Sequence, residues 1–355
     1  MPTPVMTFTV QPRLASDLPK LVEELKKLTE SNPPVVCSFD VENMIRVVIA
    51  VADGSQVDNC LRALQDLVGG ANLSASPPIV LFRETVTDKS HQTVMSISFN
   101  KLNRFYFVAR PLENGLLEAF EDDRINLQKD PSYIDDLKRD LGKNILFIGP
   151  EDIGSNMVVD MSKGSPNLNE IKDDFYTAFR DVCKSGPLMG TSLRGVAFEL
   201  CDAVVHDDVG RRRNQIRIAV SSAMYGAMVA AKPRLYEPVY LVEIQVPQEA
   251  TADMYQAMNG SRGDVFEETV SPDTSLVTVK AYLPVAESFK FWSDLEQQTT
   301  GKALVTQTVF HHWDLMPGDP TDPNTREGMF VRDRRLQMHM KEDVPAMSDY
   351  VDHSF

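Results

Sequence analysis

Three consecutive arginines, Arg211, Arg212 and Arg213, form a group of side chains that could recognise an anion. Asn214 and Gln215 follow directly and add amide groups that donate and accept hydrogen bonds. Guanidinium groups bind phosphates through paired hydrogen bonds and also stack on bases, so these residue types could bind a phosphate or a base. A solvated, exposed turn without a ligand is the alternative interpretation.

Two histidine-containing strings carry side chains of the types that bind metals or catalyse reactions. His206–Asp208 has ligand-type side chains, but neighbouring residues of a strand point to opposite faces and no second histidine group lies nearby, so no metal site is expected. His311–Trp313 is more consistent with packing and one hydrogen-bonded histidine. Because no nucleophile, base and orienting group can be assembled, the sequence predicts neither an enzyme nor a cofactor.

The composition limits the possible partners. A chain of 355 residues with 43% hydrophobic content can bury the cores of two or more domains. Its formal net charge of −15 disfavours a protein that coats RNA or DNA non-specifically, so RNA contacts should be local. Four widely spaced cysteines without a CxxC pair predict free thiols. Neither end carries a targeting or lipidation signal and no apolar run spans a membrane, so a cytoplasmic protein is expected.

The patterns around these residues predict an α+β fold. From Thr7 to Leu73 the order is strand, helix, strand, strand, helix, strand, and a similar order starts at the string EPVYLVEIQVP from Glu237. Pro77 and Pro78 force an extended backbone and mark a boundary. The middle segment mixes strands and helices, and the arginines lie between a strand at 196–205 and a helical segment ending at Ala231.

Seven ordered strings resemble one protein family. They are DLPKLVEELKKL, SPPIVLFRETV, NKLNRFYFVARP, LNEIKDDFYTAF, KPRLYEPVYLVEIQVP, VKAYLPVAESF and HHWDLMPGDP. In this order and spacing they resemble domains III, IV and V of eukaryotic and archaeal elongation factor 2. The resemblance implies three domains. A ferredoxin-like domain at 1–76 and a second one at 237–312 are each a split βαβ unit. Between them lies a ribosomal protein S5-like domain at 77–236, to which the segment 313–355 returns.

Three departures from the family separate this chain from an active translocase. It contains no GxxxxGK[ST] loop for a nucleotide, so we expect no GTP hydrolysis. The family's GTGELHLE segment is replaced by AVADGSQVDN at 50–59, without the ELHLE core. Counting back from Gln215 without gaps, Gly210 stands where the family carries the histidine modified to diphthamide. The segment Gly210–Gln215 is called the arginine loop below.

The resemblance implies contacts with ribosomal RNA, at the decoding region and the factor-binding site. Besides the arginine loop, the candidate contacts are Lys101, Asn103 and Arg104 in the string NKLNR, and Arg332, Arg334 and Arg335, which remain of a basic stretch in the family.

Three functional hypotheses follow. The first is a non-catalytic paralogue that occupies the elongation factor 2 site of a dormant, regulated or maturing ribosome, alone or together with a regulatory protein. The second is one arm of a split translocase that works with a separate GTPase chain. Such an arm should have kept the GTGELHLE segment, so its loss disfavours this hypothesis. The third is a structural subunit of another ribonucleoprotein, such as the spliceosome.

Overall fold

The computed structural model describes residues 4–12, 18–31, 36–40, 46–52, 54–67, 73–113, 115–121, 139, 144–149, 155–162, 164, 168–206, 213–271 and 275–351. They divide into two compact units, one of Met1–Phe82 with Glu237–Asp314, the other of Arg83–Tyr236 with Leu315–Phe355. The first unit therefore contains both segments for which a ferredoxin-like fold was predicted. None of the described helices is long and apolar enough to cross a membrane.

The first domain is a four-stranded antiparallel sheet with two helices. Its elements are β1 (Met6–Pro12), α1 (Leu18–Ser31), β2 (Val36–Asp40), β3 (Arg46–Val51), α2 (Gly54–Leu67) and β4 (Leu73–Ala75), and the short strand β5 (Ile79–Val80) pairs with β1. The strand order is β2-β3-β1-β4. Phe8 and Val10 alternate inward from β1, while Leu21, Leu25 and Leu64 are buried on the helices.

The middle domain is built on a five-stranded mixed sheet. Its elements are β6 (Arg83–Val86), β7 (Val94–Ile97), β8 (Arg104–Pro111), α3 (Leu116–Glu121), β9 (Asn144–Gly149), β10 (Asn156–Asp160), α4 (Lys172–Lys184), β11 (Val196–Val204) and α5 (Arg213–Val229). The order is β7-β8-β11-β10-β9, in which only β10 and β11 run parallel. Phe105, Phe107 and Phe198 from the sheet pack with Phe175 and Phe179 of α4.

The third domain repeats the topology of the first. Its elements are β12 (Pro233–Pro247), α6 (Thr251–Gly260), β13 (Asp264–Val270), β14 (Leu276–Pro284), α7 (Val285–Gln298) and β15 (Leu304–Leu315). The sheet order β13-β14-β12-β15 places the four strands as β2-β3-β1-β4 places them in the first domain. The predicted α+β fold, with two split βαβ domains flanking a different middle domain, is confirmed.

The two ferredoxin-like domains share one hydrophobic core. Val57 and Leu64 of α2 belong to the same cluster of buried side chains as Tyr240 of β12. The Tyr240 hydroxyl also donates a hydrogen bond to the Ala52 carbonyl at 3.0 Å. A last helix, α8 (Arg326–Gln337), packs on the middle domain, where Arg335 is only 2% exposed.

Candidate nucleic-acid interface

The turn between β7 and β8 presents the exposed residues of the predicted NKLNR contact. The backbone closes this hairpin turn, Ser98–Asn103, because the Ser98 N–H donates to the Asn103 carbonyl at 2.9 Å and the Lys101 N–H donates to the Ser98 carbonyl at 2.6 Å. Lys101 has a φ of 61°, the left-handed conformation that a tight turn demands. The turn is therefore held in one shape by its own hydrogen bonds.

Two of the three predicted contacts in this region are placed to meet a ligand. Lys101 and Arg104 are exposed. The turn also carries an apolar residue that the sequence analysis did not single out, Phe99, which is 92% exposed, and beside it Leu102 is 44% exposed. An aromatic residue next to Asn and Lys, in a string without acidic residues, is the signal that could have identified it.

The third predicted contact, Asn103, is buried and bonded within the protein. Its side chain is 6% exposed. Its Oδ1 accepts a hydrogen bond from the His206 N–H at 3.0 Å, and its Nδ2 donates to the Ser98 Oγ at 3.2 Å. Both ends of the Asn103 amide are used within the protein, so its buried side chain is not placed to bind RNA directly as predicted. Asn103 instead joins the hairpin turn to the chain that leaves β11.

The arginine loop is only partly described. Gly210, Arg211 and Arg212 lie outside the described residues, and Arg213 is described only as the first residue of α5. Asn214 is exposed. Gln215 is partly buried, and its Oε1 has no hydrogen-bond partner among the described atoms. These two amides lie in the first turn of α5, where the helix dipole favours negative ligands.

The first half of α5 packs on the sheet and fixes the position of this region in the domain. Ile216, Ala219, Val220 and Ala223 are buried at helical spacing against the sheet, so the start of the helix has a fixed position. β8 and β11 pair antiparallel through Arg104 and Val204. The start of β8 and the end of β11 thus lie side by side.

A charge network around the buried Glu199 carboxylate joins the same two strands farther from the turn. The Glu199 carboxylate of β11 accepts hydrogen bonds from Arg110 Nε at 2.6 Å and Lys89 Nζ at 2.7 Å, and Arg110 also donates to Glu113 at 2.9 Å. Burial alone would raise the pKa of Glu199, but the hydrogen bonds from Lys89 and Arg110 outweigh it and the pKa is lowered. Glu199 is therefore an ionised structural group.

The three C-terminal arginines have different environments. Arg332 is exposed and forms an ion pair with Glu342. Arg334 is partly buried, and burial lowers the pKa of its guanidinium. Arg335 donates to the carbonyl oxygens of Leu188 at 2.6 Å, Lys341 at 2.6 Å and Pro187 at 3.2 Å. Arg335 is therefore not placed to contact RNA as predicted, since its guanidinium lies inside the domain.

The loop held by Arg335 is also held by Glu84, a residue that the sequence analysis missed. The buried Glu84 carboxylate accepts from the backbone N–H groups of Leu188 at 2.8 Å, Met189 at 3.0 Å and Thr191 at 3.0 Å. Gly186 allows this approach, because a Cβ there would lie 2.2 Å from a Glu84 carboxylate oxygen. The strand pattern could have identified Glu84, because residues two apart on a strand share a face and Val86 is buried.

The two histidine strings show contacts that fit a structural role. His311 Nδ1 and His312 Nδ1 are 2.8 Å apart, and both rings lie against Tyr282. Trp313 packs on Phe310 with ring centroids 5.7 Å apart. Of the string at 206–208, only His206 is described. Within the described residues, no three histidine, cysteine or acidic side chains are grouped to hold a metal ion.

Two family models match this sequence. Residues 126–232 match the model described as elongation factor G, domain IV, and residues 234–323 match the elongation factor G C-terminus. The first match includes the arginine loop and most of the middle domain, and the second includes nearly all of the third domain. The chain therefore contains a domain IV and a C-terminal domain of the elongation factor G type, and over these residues it is similar to the C-terminal half of that family of translation factors.

Proposed function

We propose that this protein is a non-catalytic factor that binds the ribosome in the cytoplasm, at the site used by elongation factor 2. The observation that carries the proposal is the occurrence of both family domains together with the exposed cations Lys101 and Arg104 around the start of β8. To these the proposal adds the arginine loop, whose sequence carries three further cations. RNA of the decoding region and of the factor-binding site is the proposed ligand.

The charge distribution supports local RNA contact. With a formal net charge of −15, most of the surface is repelled by phosphate, so a cluster of cations sets both the position and the orientation of binding. Each phosphate that these side chains neutralise releases counterions and makes the affinity depend on salt. Binding of this kind requires no nucleotide.

The altered arginine loop supports a role other than translocation. Gly210 stands at the position of the family's modified histidine, so binding must use unmodified side chains. We propose that the protein occupies the site in a dormant, regulated or maturing ribosome and competes there with the translocase. The arginines would replace the modified histidine as the contact to RNA.

Sedimentation of the tagged protein through sucrose gradients at low and high salt tests this function. We expect co-migration with ribosomes without added nucleotide, weakened by salt and by Arg211→Ala/Arg212→Ala/Arg213→Ala. The matched control is Lys20→Ala/Lys26→Ala/Lys27→Ala, which removes the same charge from exposed positions of α1 and should sediment as the unchanged protein does. Migration at the top of the gradient in low salt would rule out the proposal.

The composition of the co-sedimenting material separates the alternative functions. Ribosomal RNA without a stoichiometric GTPase chain supports the proposed factor. A GTPase chain that co-purifies in equal amount would instead support an arm of a split translocase. Spliceosomal RNA in place of ribosomal RNA would support a subunit of that ribonucleoprotein.

A further inference from the structure

We infer that Phe99 is a base-stacking residue, on which an unpaired RNA base lies while Lys101 and Arg104 bind the adjoining phosphates. This inference rests on the proposed function and adds to it a particular ligand group, the face of a nucleobase. It assigns a recognition role to a residue outside the arginine loop.

The exposure of Phe99 is the first observation. At 92% it exceeds that of every other large hydrophobic residue in the described part of the chain. Phe105 and Phe107, on the strand that follows the turn, are fully buried. The domain therefore has a complete aromatic core, and Phe99 contributes nothing to it. Its ring offers both faces to a ligand.

The rigidity of the hairpin turn is the second observation. The Ser98 hydroxyl bonds to Asn100 Oδ1 at 2.5 Å and accepts from the Asn103 N–H at 3.0 Å, and the Leu102 N–H donates to Asn100 Oδ1 at 3.2 Å. Together with the backbone bonds, these contacts fix the apex that carries Phe99. A ring presented on an ordered turn loses little conformational entropy on binding, so more of its contact energy becomes affinity.

The local charge decides the kind of ligand. From Val94 to Leu112 the sequence contains no acidic residue, although the chain as a whole is acidic. Lys101 on the turn and Arg104 at the start of β8 are exposed, whereas the next cation, Arg110, is bound to Glu199 and Glu113. An aromatic face flanked by exposed cationic groups suits a base with its phosphates, because single-stranded RNA combines a π-surface with negative charge. A purely apolar protein partner would offer these two cations no group to bind.

The test compares two oligomers that share a backbone. The full-length protein is titrated with a single-stranded RNA oligomer and with an abasic oligomer of the same length and charge, by fluorescence anisotropy. We expect Phe99→Ala to weaken binding of the RNA by about ten-fold and to leave the abasic oligomer unaffected. Lys101→Ala/Arg104→Ala should weaken both oligomers. Phe289→Ala removes a phenylalanine that is also exposed, on α7, and should change neither.

Two further variants separate stacking from simple apolar contact. Phe99→Trp should keep the affinity and show quenched tryptophan fluorescence when RNA binds, whereas Phe99→Leu should bind as weakly as Phe99→Ala. Retained RNA affinity in either Phe99→Leu or Phe99→Ala would overturn the inference. So would a Phe99→Ala protein that loses ribosome binding but keeps RNA affinity, because Phe99 would then contact protein.

The gradients of the unchanged protein distinguish this inference from the proposed function. If the unchanged protein and Phe99→Ala sediment equally with ribosomes and bind RNA equally, the stacking role fails and the proposed function stands. If the unchanged protein binds neither ribosomes nor the RNA oligomer, both fail.

Discussion

Glu84 and Arg335 both bind the backbone of Leu188, Glu84 at its N–H and Arg335 at its carbonyl. The Leu188 N–H donates to the Glu84 carboxylate at 2.8 Å, and the Leu188 carbonyl accepts from the Arg335 guanidinium at 2.6 Å. Both side chains are buried, so a carboxyl group and a guanidinium lie on either side of one peptide segment inside the domain, where burial raises the pKa of Glu84. This arrangement converts a loop without regular structure into a fixed part of the core, since its backbone groups find partners.

Removing the Arg335 charge should destabilise the middle domain without a direct effect on RNA. Arg335→Met retains volume but leaves the carbonyls of Pro187, Leu188 and Lys341 without this donor, so we expect a loss of about 3 kcal/mol or more in the free energy of unfolding. The measurement is thermal unfolding with hydrogen exchange at the Leu188 amide. Tryptophan fluorescence is unsuitable, because both tryptophans lie in the other unit.

Arg332→Ala is the control for this prediction. Arg332 lies on the same helix and its side chain is exposed, so its loss should change stability by less than about 0.5 kcal/mol. If Arg335→Met left stability unchanged and lowered the affinity for RNA, the structural assignment of Arg335 would be refuted.

The ionised state of Glu199 predicts a pH-dependent difference between variants. The folded-state pKa of Glu199 is lowered from the ordinary value of 4.5, so its contribution is present above that value and is lost as the pH falls through the folded-state pKa. Near neutral pH, Glu199→Gln should therefore be less stable than the unchanged protein by about 1–3 kcal/mol. This difference should shrink progressively below the ordinary pKa in chemical denaturation series.

Glu249→Gln provides the comparison for the pH series. The pKa of Glu249 is also lowered, by a hydrogen bond from Lys302, but its carboxylate is fully exposed and solvent screens the pair. Its replacement should leave the stability profile unchanged. A constant difference between Glu199→Gln and the unchanged protein at every pH would mean that Glu199 does not titrate as proposed.

Asn103 should influence RNA affinity through the position of the hairpin turn. Asn103→Ala removes the acceptor of the His206 N–H and a donor to Ser98, so amide exchange at Asn103 and His206 should accelerate. We expect a loss of affinity for single-stranded RNA of about three- to ten-fold, although Asn103 itself is buried. Unchanged exchange combined with weaker binding would indicate direct contact with RNA and contradict this role.

The arginine loop should govern the salt dependence of ribosome binding. If Arg211, Arg212 and Arg213 each neutralise one phosphate, the triple alanine variant should lower the slope of log affinity against log salt by about two to three. Affinities are measured over a salt series for the triple variant and for the α1 control described above. An unchanged slope in the triple variant would show that the loop makes no phosphate contact.

Sequence patterns were sufficient to predict the fold, because the spacing of apolar residues indicates directly which faces are buried. The alternation in β1 and the stripe at Leu21 and Leu25 specify which faces are covered, and repetition of the same element order in the third domain fixes its topology. The parallel pairing of β10 with β11 has no comparable local signature, because it depends on contacts between distant segments.

The environment of individual charged and polar residues could not be predicted in the same way. Arg335 stands in a string of arginines, two of which are at least partly exposed, and its burial depends on a loop near Leu188 that lies far away in the sequence. Asn103 is polar and belongs to a turn, yet its partner His206 lies just beyond β11, about a hundred residues away in the sequence. The exposure of Phe99 likewise follows from its place at the apex of the turn.

The contact between α8 and the Leu188 loop has a consequence for the order in which the protein forms. Glu84 and Leu188 leave the synthesising ribosome well before Arg335, with the whole third domain translated between them. At ordinary rates of elongation this interval is on the order of ten seconds. During that time the buried carboxylate has no opposing guanidinium, so the middle domain of each nascent chain completes its core only after the last helix has emerged.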